Sequence, residues 1–193
     1  MFYKIIRFIL RPILFLLYRP KVVGLNNFPM TGGVLLYSNH ISMLDPVLIG
    51  CILPRRIYFM AKVELFTNPI LGTILKNLGA FPVKRGTADL SAIKNSLRVL
   101  KDGHVFGIFP EGTRKKEGKV KDFSFGAASI AHKAKAKIVP VGVVGGYKLF
   151  HPMKVVIGKE LDMGYYYSQK SNSELIELMS KDMENSLNSL FDE

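Results

Sequence analysis

The chain has 193 residues, 48% of them hydrophobic and 22% charged, which suits one domain with a buried core and excludes a disordered chain. Basic residues outnumber acidic ones by 27 to 15, a formal net charge of +12 that favours an anionic partner without specifying nucleic acid, membrane or phosphate. The single Cys51, set in the apolar run from Leu48 to Leu53, excludes an intramolecular disulfide and reads as a buried, inert thiol in a reducing compartment.

The charge is unevenly spread. Residues 160–193 hold eight acids and two bases, whereas no acidic residue precedes Asp45. Within residues 2–18, Lys4, Arg7 and Arg11 recur at helical spacing, with Phe2, Ile5, Ile6, Ile9, Ile13, Leu16 and Leu17 on the other side. A membrane span needs about 20 mostly apolar residues, and the three bases interrupt this stretch. A signal peptide needs a small-residue cleavage site, which Tyr18-Arg19-Pro20 does not supply. Residues 1–19 are therefore expected to form an interfacial helix lying on an anionic membrane, with a core helix bearing solvated charges as the plainer alternative. Residues 20–193 are expected to form a single domain.

In that remainder, apolar runs alternate with helical patterns. Strands are predicted at 33–38, 57–61, 80–83, 105–109, 138–144 and 154–158. Helical character is predicted for 63–78 despite Pro69, for 89–101, for 127–137 and for 173–190, the last with Leu175, Leu178 and Met179 in its apolar stripe. Continuous apolar strands alternating with helices predict an α/β fold, a mixed sheet covered by helices on both faces, with the ligand site at loops beyond the strand ends.

Three polar clusters fall just past predicted strands. The first is Ser38-Asn39-His40-Ile41-Ser42-Met43-Leu44-Asp45. A neutral imidazole serves as a general base near pH 7, and a carboxylate partner fixes its tautomer. Within one regular helix, residues five apart lie about 140° apart, so His40 and Asp45 meet only if a turn intervenes. Asp45-Pro46 also reads as a helix cap followed by a first-turn proline, and the spacing leaves both readings open. The second cluster is Phe109-Pro110-Glu111-Gly112-Thr113-Arg114, either a site for a phosphate or carboxylate or a solvated turn. The third places Lys84 and Arg85 after Gly79-Ala80-Phe81-Pro82-Val83. Nucleotide-phosphate loops, zinc-ligand spacing and a nucleophile elbow are all missing, so a His–Asp pair would have to activate a substrate hydroxyl directly.

Taken in order, these blocks resemble the glycerolipid acyltransferases typified by bacterial 1-acyl-sn-glycerol-3-phosphate acyltransferase. Asn39-His40 through Asp45 is similar to the NHxxxxD block, Gly79 to Arg85 to the second, Phe109 to Arg114 to the third, and Ile138-Val139-Pro140-Val141-Gly142 to the fourth. Ala61-Lys62-Val63-Glu64-Leu65-Phe66 also matches a common stretch, and the resemblance spans residues 20–160. It implies an acyltransferase domain over 20–193 in which His40 is the general base and Asp45 orients it. Lys84, Arg85, Glu111, Gly112, Thr113 and Arg114 would hold the phosphorylated acceptor, lysophosphatidic acid, on the way to phosphatidic acid. The donor would be an acyl thioester of coenzyme A or acyl carrier protein, with no metal or organic cofactor and no nucleic acid. The enzyme would sit on the cytoplasmic face of the cell membrane as a peripheral or monotopic protein.

One departure concerns the segment after the third block, where the family commonly has Phe-Lys-x-Gly. Here it reads Phe123-Ser124-Phe125-Gly126, leaving Lys119 or Lys121 as the substitute. The same blocks also serve enzymes acting on glycerol 3-phosphate or other lysophospholipids, although the short chain favours lysophosphatidic acid. The reading from a different class is a non-catalytic basic membrane-binding module, which the charge alone would support.

Overall fold

The computed structural model describes residues 1–84, 86, 89–115, 119–120 and 123–192. Within these residues seven strands form one sheet: β1 (Lys21–Val23), β2 (Val34–Ser38), β3 (Ile57–Lys62), β4 (Ala80–Val83), β5 (Val105–Ile108), β6 (Lys137–Val144) and β7 (Lys154–Ile157), in spatial order β1-β7-β6-β2-β5-β3-β4. All neighbours are parallel except β6 and β7, so the sheet is mixed. Among the described residues, seven α-helices accompany it: α1 (Phe2–Tyr18), α2 (Asp45–Ile52), α3 (Pro69–Leu78), α4 (Leu90–Lys101), α5 (Phe125–Ala134), α6 (Gly164–Tyr167) and α7 (Ser173–Ser189).

The central strand β2 is buried along its whole length, as expected of a parallel strand with both faces covered. Its side chains alternate between two cores. Leu35 and Tyr37 join Phe106 and Ile138 beneath α4, α5 and α7, where Val99, Ala128, Met179 and Met183 are buried. Val34 and Leu36 join Val105 and Val139 beneath α1 and α2, where Leu14, Leu48, Ile49 and Ile52 are buried. The predicted layering, helices on both faces of the sheet, is the one observed.

Some predicted boundaries shift for identifiable reasons. The stretch 63–78 divides into a 3-10 turn (Val63–Phe66) and α3, because Asn68 caps Ile70 N and Leu71 N and Pro69 takes the first helical position. Asp89 caps α4 in the same way. Helix α5 begins two residues earlier than predicted, at a Ser124 cap, and ends before Lys135, whose left-handed backbone closes it. In α7 the buried stripe is Leu175, Ile176, Met179, Met183 and Leu187, while Leu178 points outward. Strand β1 was not predicted. Its three residues pair with β7, more than 130 positions later.

Helix α1 is seated on the body. Tyr3 Oη donates to Gly50 O (3.1 Å) and Arg7 Nε to Cys51 O (3.3 Å), so Arg7 meets the carbonyl end of α2 instead of solvent. Leu14 is buried, and Leu10, Phe15 and Tyr18 pack against the same core. Phe2, Ile5, Phe8, Ile9, Ile13 and Leu16 face outward, Phe8 with 81% of its surface exposed. Ile6 and Leu17, expected among the outward apolar residues, are only partly exposed. Among the described residues no helix is long and apolar enough to cross a membrane. Cys51 is buried in α2, and burial pushes its thiol above the ordinary range, consistent with an inert side chain.

Candidate active site

Because β2, β3, β4, β5 and β6 run parallel, the segments that follow them emerge along one edge of the sheet. The loop after β2 begins with Asn39, which is buried and acts as a substitute peptide group. Its Nδ2 donates to Val143 O (2.9 Å) and its Oδ1 accepts from Val143 N (2.8 Å), tying the loop to β6 beyond the end of regular pairing.

The chain then turns, and Asp45 opens α2 with its carboxylate directed back into the loop. One oxygen, Oδ2, accepts from Ile41 N (2.8 Å) and Ser42 N (2.8 Å) and lies 2.8 Å from His40 Nδ1. The other, Oδ1, accepts from Tyr147 Oη at 2.8 Å. Asp45 is therefore not the helix cap that its proline neighbour suggested. Leu44 takes that position, and the carboxylate, fully buried, is devoted to His40 and the loop backbone. A carboxylate offers only acceptor sites, so this contact assigns the proton to Nδ1 and leaves Nε2 with the lone pair.

The second cluster closes over the same histidine. The ring of Phe109 stacks on the His40 imidazole, centroids 4.2 Å apart and planes 20° apart, and Phe59 stacks behind Phe109 at 5.6 Å. Glu111 Oε2 accepts from His40 N (3.0 Å), and Lys115 N donates to His40 O (2.9 Å). Both backbone groups of His40 are thus held by the loop after β5. Glu111, expected to help hold the acceptor, lies with Oε2 against the His40 backbone. Gly112 turns the chain at φ 66°, where its N–H returns to Phe109 O, and Thr113 and Arg114 are exposed beyond it.

Lys84 is also exposed at this edge, but it follows β4, three strands from β2, which separates it from the loop after β2 by roughly 14 Å. Its backbone N–H donates to Asp89 Oδ2 (2.9 Å), and this contact and the two capping amides of α4 hold the Asp89 carboxyl below the usual range. Arg85 and Lys121 lie outside the described residues. Lys119, the other substitute considered for the lysine absent after the third block, pairs with Asp192 at 2.8 Å.

Asn39, Phe109 and Tyr147 carry site roles that sequence reasoning did not assign. The first two sit inside recognisable blocks, whereas Tyr147 is signalled only by the Gly145-Gly146 pair at the end of β6. Burial and the Asp45 charge push the Tyr147 phenol far up, so it remains a protonated donor. A cleft of about 520 Å³, lined by Ile41, Ser42, Val143, Gly146, Tyr147 and Phe191 among others, opens beside the pair. Among the described residues, no three His, Cys, Asp or Glu side chains gather into a group able to hold a metal ion.

A buried carboxylate orienting an imidazole at the strand-end edge of an α/β sheet suits transfer of a group to a substrate hydroxyl. Residues 19–144 match the family profile described as Acyltransferase. The chain is 36% identical to the 1-acyl-sn-glycerol-3-phosphate acyltransferase of Bacillus subtilis, over 97% of this chain and 100% of that protein. It is 38% identical to the protein of the same name from Streptococcus pneumoniae, over 68% of this chain and 48% of that one. The fold is similar to the crystal structure of the 1-acyl-sn-glycerophosphate acyltransferase PlsC from Thermotoga maritima, with a TM-score of 0.74 at 24% identity, covering 97% of this chain and 79% of that one. The chain belongs to the acyltransferase family.

Proposed function

We propose that this protein transfers a fatty acyl group from an acyl thioester of coenzyme A or acyl carrier protein to the free hydroxyl of lysophosphatidic acid, giving phosphatidic acid for phospholipid synthesis. The observation that carries the reading is the 2.8 Å contact between His40 Nδ1 and the buried Asp45 carboxylate, which leaves Nε2 as a base. His40 Nε2 takes the hydroxyl proton as the oxygen attacks the thioester carbonyl carbon. The resulting tetrahedral adduct expels the thiolate, which receives the proton from the imidazolium, and Asp45 stabilises the cation while it lasts. Lys84, Arg85, Glu111, Gly112, Thr113 and Arg114 hold the phosphorylated acceptor, and Glu111 also fixes the loop that bears the base. The similarity to proteins named for this acceptor supports lysophosphatidic acid over other hydroxyl compounds.

Residues 1–19 act as the interfacial membrane helix of a 20–193 acyltransferase domain on the cytoplasmic face of the membrane. What supports this is the outward apolar stripe of α1, with the exposed bases Lys4 and Arg11 flanking it. The test is acyl transfer to lysophosphatidic acid, glycerol 3-phosphate and lysophosphatidylcholine in parallel, with both donors, scored by product mass. Phosphatidic acid as the preferred product supports the reading, and preference for another acceptor overturns it. Sedimentation with anionic vesicles that is unchanged both in Phe8→Asp/Leu16→Asp and in Lys4→Glu/Arg11→Glu would remove the membrane role of α1.

A further inference from the structure

We infer that Tyr147 is a positioning residue of the His40–Asp45 pair, holding the second Asp45 oxygen so that the first stays on the imidazole. The inference rests on the reading of His40 as the base.

Three observations carry it. First, the two Asp45 oxygens have different partners: Oδ2 serves His40 Nδ1 and the amides of Ile41 and Ser42, and Oδ1 receives the Tyr147 hydroxyl at 2.8 Å. The three contacts to Oδ2 all come from the Asp45 loop itself. Tyr147 is thus the side chain that ties this carboxylate to the other side of the site, 102 positions away. Without it, rotation about the Cβ–Cγ bond is opposed on one side only.

Second, the ring of Tyr147 is seated by the end of α1. Strands β1 and β7 run opposite to β6, so the start of β1, and with it the last turn of α1, lies at the edge where β6 ends. There Tyr18 meets Tyr147 edge-on, with centroids 5.1 Å apart and planes 82° apart. Met153 N donates to Tyr18 O (3.3 Å), and Lys21 N donates in turn to Met153 O (2.8 Å). The segment bearing Tyr147 is strapped to the helix that leads into the sheet.

Third, the phenol keeps the proton that it donates to Asp45. Burial and the adjacent Asp45 charge both favour its protonated form, so the hydroxyl proton remains directed at Oδ1. Among the described residues, the groups facing the pair from the surrounding elements include Glu111 and Lys115 on the His40 backbone, Phe109 on the imidazole face, Tyr147, and Tyr18 behind it.

Tyr147 also lines the cleft beside the pair, so a substrate contact is the competing role, and the experiment separates the two. Tyr147→Phe keeps the ring and deletes the hydroxyl. Positioning predicts that kcat falls by about tenfold, the size expected for a lost hydrogen bond to a charged group, with KM for lysophosphatidic acid and for acyl donor unchanged. In the Asp45→Asn background the same change is expected to have almost no effect on kcat, because the two act as one unit. A general structural defect would instead multiply through both backgrounds.

Full kcat in Tyr147→Phe, a rise in KM at unchanged kcat, or the same fractional loss in wild-type and Asp45→Asn proteins would each overturn the inference. His40→Ala, measured alongside, tests the underlying reading separately. If His40→Ala keeps wild-type turnover, the base assignment fails. If it is inactive while Tyr147→Phe is fully active, only the role of Tyr147 fails.

Discussion

Asn39→Ala tests how the sheet holds the loop that carries His40. Asn39 and the backbone of Val143 exchange two hydrogen bonds, 2.9 Å and 2.8 Å, and both residues are buried. Alanine leaves the N–H and the C=O of Val143 without partners, and each orphaned buried group costs about 1–3 kcal/mol. For the pair we take about 3 kcal/mol, since water entering the vacated space satisfies part of the loss. In a domain of this size each kcal/mol moves the melting temperature by about 2–4 °C, so a fall of roughly 6–12 °C is expected. The urea midpoint is expected to drop by roughly 1.5 M, for a slope near 2 kcal/mol per molar. Activity is expected to suffer further, because the next residue is His40. With His40 as the proposed base, displacing it by a fraction of an ångström is expected to lower kcat by ~10–100-fold even where the protein is fully folded. Urea denaturation and steady-state turnover on the same preparation measure both effects. A midpoint and a turnover equal to wild type would refute the argument that this side chain anchors the loop.

Further outcomes follow from the same contacts. Gly107→Ala places a Cβ 2.3 Å from Phe59 Cε1, and Phe59 backs the ring that stacks on His40, so a loss of ~1–3 kcal/mol in melting experiments should accompany reduced turnover. Arg114→Ala is expected to raise KM for the phosphorylated acceptor several-fold while leaving KM for the donor unchanged; equal effects on both would remove Arg114 from the phosphate site. Asp89 titrates below the usual carboxylate range in the folded protein, so its capping contribution is complete above an unfolded value of about 3.9 and disappears as pH falls through the lower folded value. The difference in melting temperature between wild type and Asp89→Ala should therefore be constant above about pH 5 and shrink below about pH 4; a difference that grows on acidification would reverse the sign of the argument.

The strands that build the candidate site's edge were legible because each is a short continuous apolar run: Ala80–Val83 has the predicted bounds, and β2 and β6 differ from prediction by one residue at an end. Strand β1 was not legible, since three residues carry no periodicity and its partner comes from the other end of the chain. Likewise the outward turn of Leu178 is decided by where α7 lies on the sheet, which local spacing does not encode. The His40–Asp45 contact was readable as a possibility from two residue types and a turn-forming sequence between them. Its alternative, a capping aspartate, lost because the carboxylate folds back onto the amides of Ile41 and Ser42. Arg114 and Lys84 were placed at the correct edge by counting strand ends. The position of Glu111 against His40 N depends on how far the loop after β5 leans toward the loop after β2, a tertiary detail. Tyr147 depends on a contact between residues 102 positions apart, and a lone tyrosine after a glycine pair gives no signal strong enough to find it.

The central claim is that His40 removes the proton from the acceptor hydroxyl. Single-turnover acyl transfer with wild type and His40→Gln, at saturating lysophosphatidic acid and acyl donor, measures it most directly. The account predicts that His40→Gln binds both substrates with wild-type affinity and forms phosphatidic acid at least about 1,000-fold more slowly, within the range of general base catalysis. Product formation by His40→Gln at the wild-type rate would contradict it.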